Sequence, residues 1–250
     1  LPFEALLYEL PVDCQRFKTH RYLLHDFQIS YAYSSTHLME LLAAPHQEAS
    51  KNLLAMAPSF GNNPFQLKPL QHNQPEAKAV CDLLGGDLKV GDQATLAAFL
   101  QLAGDYRILH LATHGQARNT VGDLSYLAFS QPKDSTEESF LYVRDLYLQR
   151  LPADLVVLSA CETNAGEYLR GEGVVSIAKG FFQAGARSVV ATLWSVDDAK
   201  NADLMLRFFQ NLQQGDEKDA ALQNAKLSFL DTHPHDEAHP VFLVVALAQG

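Results

Sequence analysis

The sequence contains few cysteines, and they are not arranged as a disulfide framework. Its 250 residues include three cysteines, Cys14, Cys81 and Cys161, which lie far apart along the chain. An odd number of scattered cysteines argues against structural disulfides and leaves at least one free thiol, as is usual in a reducing compartment. We therefore expect a cytoplasmic protein.

Basic clusters and long apolar runs are also missing. The 19 Lys and Arg residues are outnumbered by 29 Asp and Glu, the formal net charge is −10, and no run of Lys or Arg occurs. Nucleic-acid-binding proteins usually present a basic patch to the phosphate backbone, so we expect no direct nucleic-acid partner. No apolar stretch approaches the roughly 20 residues that span a bilayer, and no secretory signal opens the chain. We therefore expect no membrane association.

What the chain does contain is enough apolar sequence for one substantial core. Hydrophobic residues make up 47% and charged residues 19% of the chain, which is typical of a globular protein, and we expect a single domain over residues 1–250. Strand-like and helix-like segments alternate, which predicts an α/β fold with a mostly parallel sheet covered on both faces. Strands are predicted at 21–33, 52–57, 108–112, 124–129, 155–159, 188–193 and 241–248, and helices at 36–44, 76–84, 93–103, 173–184, 199–212 and 219–230.

Two of the predicted strands lead directly into reactive side chains. The apolar run 108–112 is followed by Thr113, His114 and Gly115, and the run 155–158 is followed by Ser159, Ala160 and Cys161. Both runs are apolar on both faces, as expected of strands inside a parallel sheet, and ligands bind beyond the carboxyl ends of such strands. A histidine base beside a cysteine nucleophile is the minimal machinery of a cysteine protease. The sequence therefore predicts a catalytic pair of His114 and Cys161.

This chemistry also requires an oxyanion site. Gly115 has no side chain, so a substrate carbonyl can approach its amide closely, and the amide of Cys161 is the natural second donor. The alternative is that a cysteine at a strand end and a histidine in a turn are only packing residues. Cys14 and Cys81 have no partner signature and are interpreted as packing residues, and His110 is interpreted as a core histidine.

Acidic residues follow the third apolar strand. Asp197 and Asp198 are expected on the same sheet edge as His114 and Cys161, so one could cap the next helix while the other pairs with a basic substrate side chain. The alternative is that both only complement the helix N-terminus. Trp194, the single tryptophan, either forms a wall of the pocket or packs against the sheet edge.

Other potential sites are weaker, and no cofactor or metal is expected. The segment 233–239 is rich in His and carboxylates but matches no closed zinc spacing, so a solvated turn is favoured. The segment 171–173 lies too far past its strand for a dinucleotide fingerprint and lacks the residues of a phosphate loop.

Three segments carry a resemblance to a known family. Residues 109–115, 153–163 and 180–198, in this order and spacing, resemble the CHAT domain, a caspase-like domain that is related to separase and is usually joined to tetratricopeptide repeats. The flanking segments 1–7 and 239–240 fit as well, so the resemblance covers nearly the whole chain. Leu243 departs from it, since the family usually has a tryptophan there, which concerns packing more than chemistry.

The resemblance implies a caspase-type α/β/α sandwich in which His114 is the general base and Cys161 the nucleophile, with the amides of Gly115 and Cys161 as the oxyanion donors. Separase-like relatives use acidic residues after the tryptophan-containing strand to receive a basic substrate side chain, which makes Asp198 the specificity candidate. The full set of candidate substrate-binding residues is Glu162, Trp194, Asp197 and Asp198.

The resemblance also implies an arrangement in a longer protein. The match at Leu1 implies that an opening strand or two, and any repeat domain, precede this chain. Family members often act as effectors in bacterial defence and are held inactive until a partner or sensor changes shape. We therefore expect a protein substrate and an upstream tetratricopeptide-repeat or sensor region, or a regulatory protein, with the loops 131–139 and 162–173 as places for control.

Three functions remain open from the sequence. The first is a cysteine endopeptidase that cleaves a protein substrate through a thioester intermediate. The second is a catalytically silent caspase-like module that binds or scaffolds. The third is a thiol-dependent acyltransferase or hydrolase of small molecules. The intact pair of His114 and Cys161 favours the endopeptidase.

Overall fold

The computed structural model describes most of the chain and its central sheet. The described residues are 21–32, 34–45, 48–60, 67–116, 122–131, 139–159, 161–162, 172–192, 197–233 and 245–248, of which 161–162, 172–176 and 245–248 are described by their backbone alone. The strands are β1 (Lys51–Ala57), β2 (Asp87–Val90), β3 (Tyr106–Leu111), β4 (His114–Gln116), β5 (Tyr126–Ala128), β6 (Phe140–Tyr142), β7 (Leu155–Leu158), β8 (Cys161–Glu162), β9 (Val189–Thr192) and β10 (Val245–Ala248). The helices are α1 (Ser35–Ala43), α2 (Asn73–Leu84), α3 (Leu96–Leu102), α4 (Val143–Leu146), α5 (Glu172–Ala184), α6 (Asp198–Gln213) and α7 (Lys218–Thr232).

Six of these strands form the central sheet, in the order β10-β9-β7-β3-β1-β2. Every neighbouring pair is parallel except β10, which runs antiparallel to β9. The predicted mostly parallel sheet is therefore confirmed. A second sheet of four short strands, in the order β6-β5-β4-β8, continues from the ends of β3 and β7.

Both faces of the central sheet are apolar, which is why it is covered on both sides. Successive side chains of a strand point to opposite faces. Leu54 and Met56 of β1 belong to one core with side chains of α3, α4 and α5, whereas Leu53 and Ala55 belong to the other core with side chains of α2, α6 and α7. The fold is a three-layer α/β/α sandwich. Among the described helices, none is both long and apolar enough to cross a bilayer.

The predicted strand at 21–33 is wrong. Tyr22 makes a single bridge and is followed by a 3₁₀ turn at Leu23–His25. Tyr22 N–H donates to Nδ1 of His25 (3.2 Å), and Arg21 pairs with Asp26 at 2.6 Å. These local side-chain contacts satisfy the backbone in a turn and compete with strand pairing. The sequence did not predict five short elements, β2, β4, β6, β8 and α4. The other described strands and helices agree with the prediction to within a few residues at their ends.

The turn from α2 into β2 depends on a glycine that no other residue can replace without strain. Gly86 has φ of +148°, and a Cβ there would lie 2.4 Å from the carbonyl oxygen of Leu53 on β1. Relief would require β1 and β2 to separate, yet these strands pair at Leu54 and Asp87. We expect Gly86→Ala to lower the free energy of unfolding by about 2–4 kcal/mol, as measured by urea denaturation.

Gly85 supplies the matched control for this prediction. It also has a positive φ, +68°, but a Cβ there would have nothing within 4 Å. With ψ of 150°, Gly85 lies in a backbone region that is nearly restricted to glycine. Gly85→Ala therefore adds backbone strain of about 1–3 kcal/mol without a clash, and it should destabilise less than Gly86→Ala, which adds the clash to strain of the same kind. Equal decreases in the free energy of unfolding for Gly85→Ala and Gly86→Ala would contradict the expected clash with Leu53.

Candidate active site

The second sheet brings His114 and Cys161 into register. β3 ends at Leu111 and β4 begins at His114, while β7 ends at Leu158 and β8 begins at Cys161. β4 and β8 are parallel neighbours, with His114 opposite Cys161 and Gly115 opposite Glu162. Neighbouring strands are about 4.8 Å apart, so the two backbones carry the predicted pair on adjacent positions beyond the carboxyl edge of the central sheet.

Buried polar side chains hold the two strand ends in place. The Asn73 amide donates to the carbonyls of Pro58 (2.9 Å) and Ala112 (3.2 Å), and the Thr113 hydroxyl donates to the carbonyl of Ala128. These hydrogen bonds satisfy backbone carbonyls where the chain leaves the β3 ladder, which would otherwise be costly to bury. Sequence reasoning missed Asn73, because the sequence predicts a polar surface loop over 58–75, in which a lone Asn gives no further signal.

The other strand end is held from α6. The Asn201 amide, which is buried, donates to the hydroxyl of Ser159 at 2.7 Å. Ser159 directly follows β7, so this contact links the segment that leads to Cys161 with the first turn of α6. The start of α6 and both strand ends therefore form one rigid frame.

The His114 imidazole is 2% exposed and packs against Phe60, with ring centroids 4.7 Å apart. Its Nε2 lies 2.6 Å from the carbonyl oxygen of Lys68. Since a carbonyl can only accept, Nε2 carries a proton and donates it to this bond. Nδ1 is buried and has no hydrogen-bond partner among the described residues, so in a neutral ring it is the atom that can take up a proton.

The surroundings of His114 favour its neutral form. Burial lowers the pKa of His114 below 6.5, and this effect is only partly opposed by the Lys68 carbonyl and the negative charge of Asp198. A neutral imidazole is what a general base requires.

Gly115, the predicted oxyanion donor, is buried in β4. It lies between β5 and β8, opposite Leu127 on one side and Glu162 on the other. Glu162 is described by its backbone alone, as is Cys161, and Trp194 lies outside the described residues.

The two aspartates at the start of α6 have different environments. Asp197 is the N-cap of α6, and its side chain accepts hydrogen bonds from the amides of Ala199 (3.1 Å) and Lys200 (3.2 Å). Asp198 instead accepts from the backbone amides of Gln71 (3.0 Å) and His72 (2.8 Å), both through Oδ2. One aspartate therefore caps the helix, whereas the other binds a separate backbone segment.

Two further residues named from the sequence, Cys81 and His110, lie on α2 and β3. Cys81 is on α2, and its thiol donates to the Gly86 carbonyl at 3.3 Å. His110 is fully buried in β3, so its interpretation as a core histidine is confirmed. Cys14, Leu243 and most of the segment 233–239 lie outside the described residues. Within the part of the chain that the structure describes, no group of three or more His, Cys, Asp or Glu residues is arranged to hold a metal.

Comparison with known proteins agrees with the family resemblance. The CHAT domain family matches residues 1–242. Tetratricopeptide repeat protein 28 of Mus musculus is 27% identical over 188 residues, covering 63% of this chain and 8% of that protein, and its Homo sapiens counterpart is 24% identical over the same shares. The chain thus spans less than a tenth of the length of these relatives. The Arg-specific cysteine proteinase gingipain R aligns in structure with a TM-score of 0.45 and 11% identity, over 78% of this chain and 45% of that one.

Proposed function

We propose that this chain, which belongs to the CHAT domain family, is a cysteine endopeptidase with His114 as general base and Cys161 as nucleophile. The observation that carries the proposal is the parallel pairing of β4 and β8, which sets His114 opposite Cys161. The position beyond the carboxyl ends of β3 and β7 is where a doubly covered parallel sheet binds its ligands.

The hydrogen bond of Nε2 to the Lys68 carbonyl supports Nδ1 as the proposed catalytic atom of the imidazole. Nδ1 accepts the thiol proton of Cys161 while the sulfur attacks the carbonyl carbon of the scissile peptide. The carbonyl oxygen becomes negative and accepts hydrogen bonds from the amides of Gly115 and Cys161. The imidazolium then protonates the departing amine as the carbon–nitrogen bond breaks, which leaves a thioester. Water, deprotonated by His114, hydrolyses the thioester and restores the thiol.

The burial of His114 favours a second candidate, the catalytically silent binding module. At 2% exposure, the imidazole must become accessible to a substrate before it can act. A protein that never opens this site would keep the fold and the paired residues without turnover.

The named relatives support a partner region on the same polypeptide. Both are tetratricopeptide repeat proteins of which this chain matches 8%. We propose that an upstream tetratricopeptide-repeat region, or a sensor or regulatory protein that acts through it, controls access to the site and that the substrate is a protein. The proposed setting is the cytoplasm, with no bound nucleic acid, membrane or cofactor.

Covalent labelling across a pH series tests the endopeptidase. The native protein is treated with electrophilic peptides that differ in the residue before the electrophile, and adducts are located by mass spectrometry. We expect selective labelling of Cys161. Because burial lowers the pKa of His114, the neutral base persists at acidic pH, and the labelling rate should rise with a midpoint below pH 6.5.

The variant His114→Ala is the control for this experiment. Without the base, the labelling of Cys161 should slow, and the midpoint of the increase in labelling rate with pH should move toward about pH 8.5, where ordinary thiols ionise. Equal labelling of Cys14, Cys81 and Cys161 that does not depend on His114 would reject an active endopeptidase in this chain and leave either a site that the proposed control keeps closed or the silent module.

A further inference from the structure

A short backbone segment, residues 67–72, connects His114 to Asp198. At one end the Lys68 carbonyl accepts the hydrogen bond from Nε2 of His114 at 2.6 Å. At the other end the amides of Gln71 and His72 donate to Oδ2 of Asp198 at 3.0 and 2.8 Å. We call residues 67–72 the strap. The imidazole of His114 and the carboxylate of Asp198 are therefore hydrogen-bonded to the backbone of the same short segment.

The strap has rigid attachments on both sides. α2 begins at Asn73, directly after the strap, and the buried Asn73 amide is bonded to the carbonyls of Pro58 and Ala112. Asp198 is the first residue of α6, which is fixed by the Asn201 contact to Ser159. The Asp198 carboxylate thus connects the start of α6 to the strap, and through it to the start of α2.

We propose that Asp198 is a positioning residue, which holds the strap so that the Lys68 carbonyl fixes the orientation and the tautomer of His114. This inference rests on the proposed function and gives Asp198 a different task from the substrate-binding one that the sequence predicts. Oδ2 of Asp198 accepts hydrogen bonds from two backbone amides at these distances, so this oxygen is already hydrogen-bonded within the protein.

Two substitutions separate the hydrogen bonds of Asp198 from its charge. Asp198→Ala removes the acceptor and frees the strap, and a small displacement of a catalytic group costs on the order of 10²-fold in rate. We expect such a loss of Cys161 labelling rate for every electrophilic peptide, whatever its side chain. Asp198→Asn keeps an oxygen acceptor for Gln71 and His72 and should retain the rate to within a few-fold.

The pH dependence provides a readout that a merely structural role would not change. The titratable residues on the strap and at the start of α6 are Lys68, His72 and Asp198, and Cys161 lies on the strand that pairs with β4. The negative charge of Asp198 raises the pKa of His114. Asp198→Asn should therefore move the acidic midpoint of labelling to a still lower pH. A loss confined to peptides with a basic side chain, in both variants, would overturn the inference and return Asp198 to substrate binding.

Nuclear magnetic resonance of ¹⁵N-histidine-labelled protein tests the inference without any activity. The wild type and Asp198→Asn should show the His114 proton on Nε2, whereas Asp198→Ala should show a mixture of both tautomers. An unchanged tautomer in Asp198→Ala would overturn the inference even if the protein is a peptidase. A tautomer change together with unselective, His114-independent labelling would instead reject the proposed function and leave the positioning role standing.

The neighbouring aspartate gives the matched control. Asp197→Ala removes the N-cap of α6, in which Oδ1 accepts hydrogen bonds from the amides of Ala199 and Lys200. The hydrogen bonds between the strap and Asp198 stay in place. It should lower the melting temperature without changing the His114 tautomer. A tautomer change of equal size in Asp197→Ala would mean that general loosening of the helix start, and not the strap, controls His114.

Discussion

Replacing either Cys161 or His114 with alanine is expected to lower kcat/KM for peptide hydrolysis by on the order of 10⁴-fold or more. In the proposed mechanism, Cys161→Ala removes the atom that attacks the peptide carbonyl, and His114→Ala removes both the base that activates it and the acid that protonates the leaving amine. β4 and β8 set the two residues opposite each other, and the proposed mechanism requires them to act as a unit. The double variant should therefore be no slower than the slower single variant. Hydrolysis of a peptide selected by the labelling experiment measures this.

Cys81 offers a matched control for the loss of a thiol. Its side chain is partly buried on α2, and burial raises the pKa of the thiol, which lowers its nucleophilicity at neutral pH. Cys81→Ala should therefore leave kcat/KM unchanged. The proposed roles would be contradicted if the decreases in kcat/KM for His114→Ala and Cys161→Ala were additive in the double variant. They would also be contradicted if Cys81→Ala lowered kcat/KM as much as Cys161→Ala does.

The central sheet could be predicted from sequence because its strands carry their own signal. The runs that became β3 and β7 are short, apolar on both faces and followed by polar residues, and parallel buried strands leave that pattern. The same logic placed His114 and Cys161 on one edge. What it could not predict is the second sheet, since β4 and β8 have three and two residues, too few to show any periodicity.

The strap was beyond sequence reasoning for a different reason. Its key groups are the Lys68 carbonyl and the Gln71 and His72 amides, and every residue has such groups, so they leave no mark on the sequence. The segment 58–75 reads only as a polar surface loop. Asp198 was singled out because it follows the third apolar strand on the same sheet edge and because separase-like relatives use acidic residues there, but only the structure gives its partners.

Glu76→Ala is expected to be the most destabilising of the substitutions considered, lowering the free energy of unfolding by about 3–5 kcal/mol. Oε1 of Glu76 on α2 lies 3.1 Å from Nε2 of His110 on β3, and the two side chains are 1% and 0% exposed. The contact is a close one without hydrogen-bond alignment, and neither imidazole nitrogen has another partner among the described residues. Removing the carboxylate takes away the polar atom that lies closest to this buried ring and opens a cavity beside it. At about 2–4 °C per kcal/mol for a chain of this size, the melting temperature should fall by about 10 °C.

A surface pair on the same helix isolates the effect of burial. Lys78 and Asp82 of α2 form an ion pair at 2.6 Å with both side chains more than 60% exposed. Asp82→Ala should cost no more than about 0.5 kcal/mol. The double variant Glu76→Leu, His110→Phe replaces the buried pair with apolar groups and should recover much of the loss. If Glu76→Ala lowers the free energy of unfolding no more than Asp82→Ala does, the Glu76–His110 pair is accessible to water and the prediction is wrong. If the double variant is less stable than Glu76→Ala, the fit of side-chain volumes at this place in the core matters more for stability than the polar imidazole.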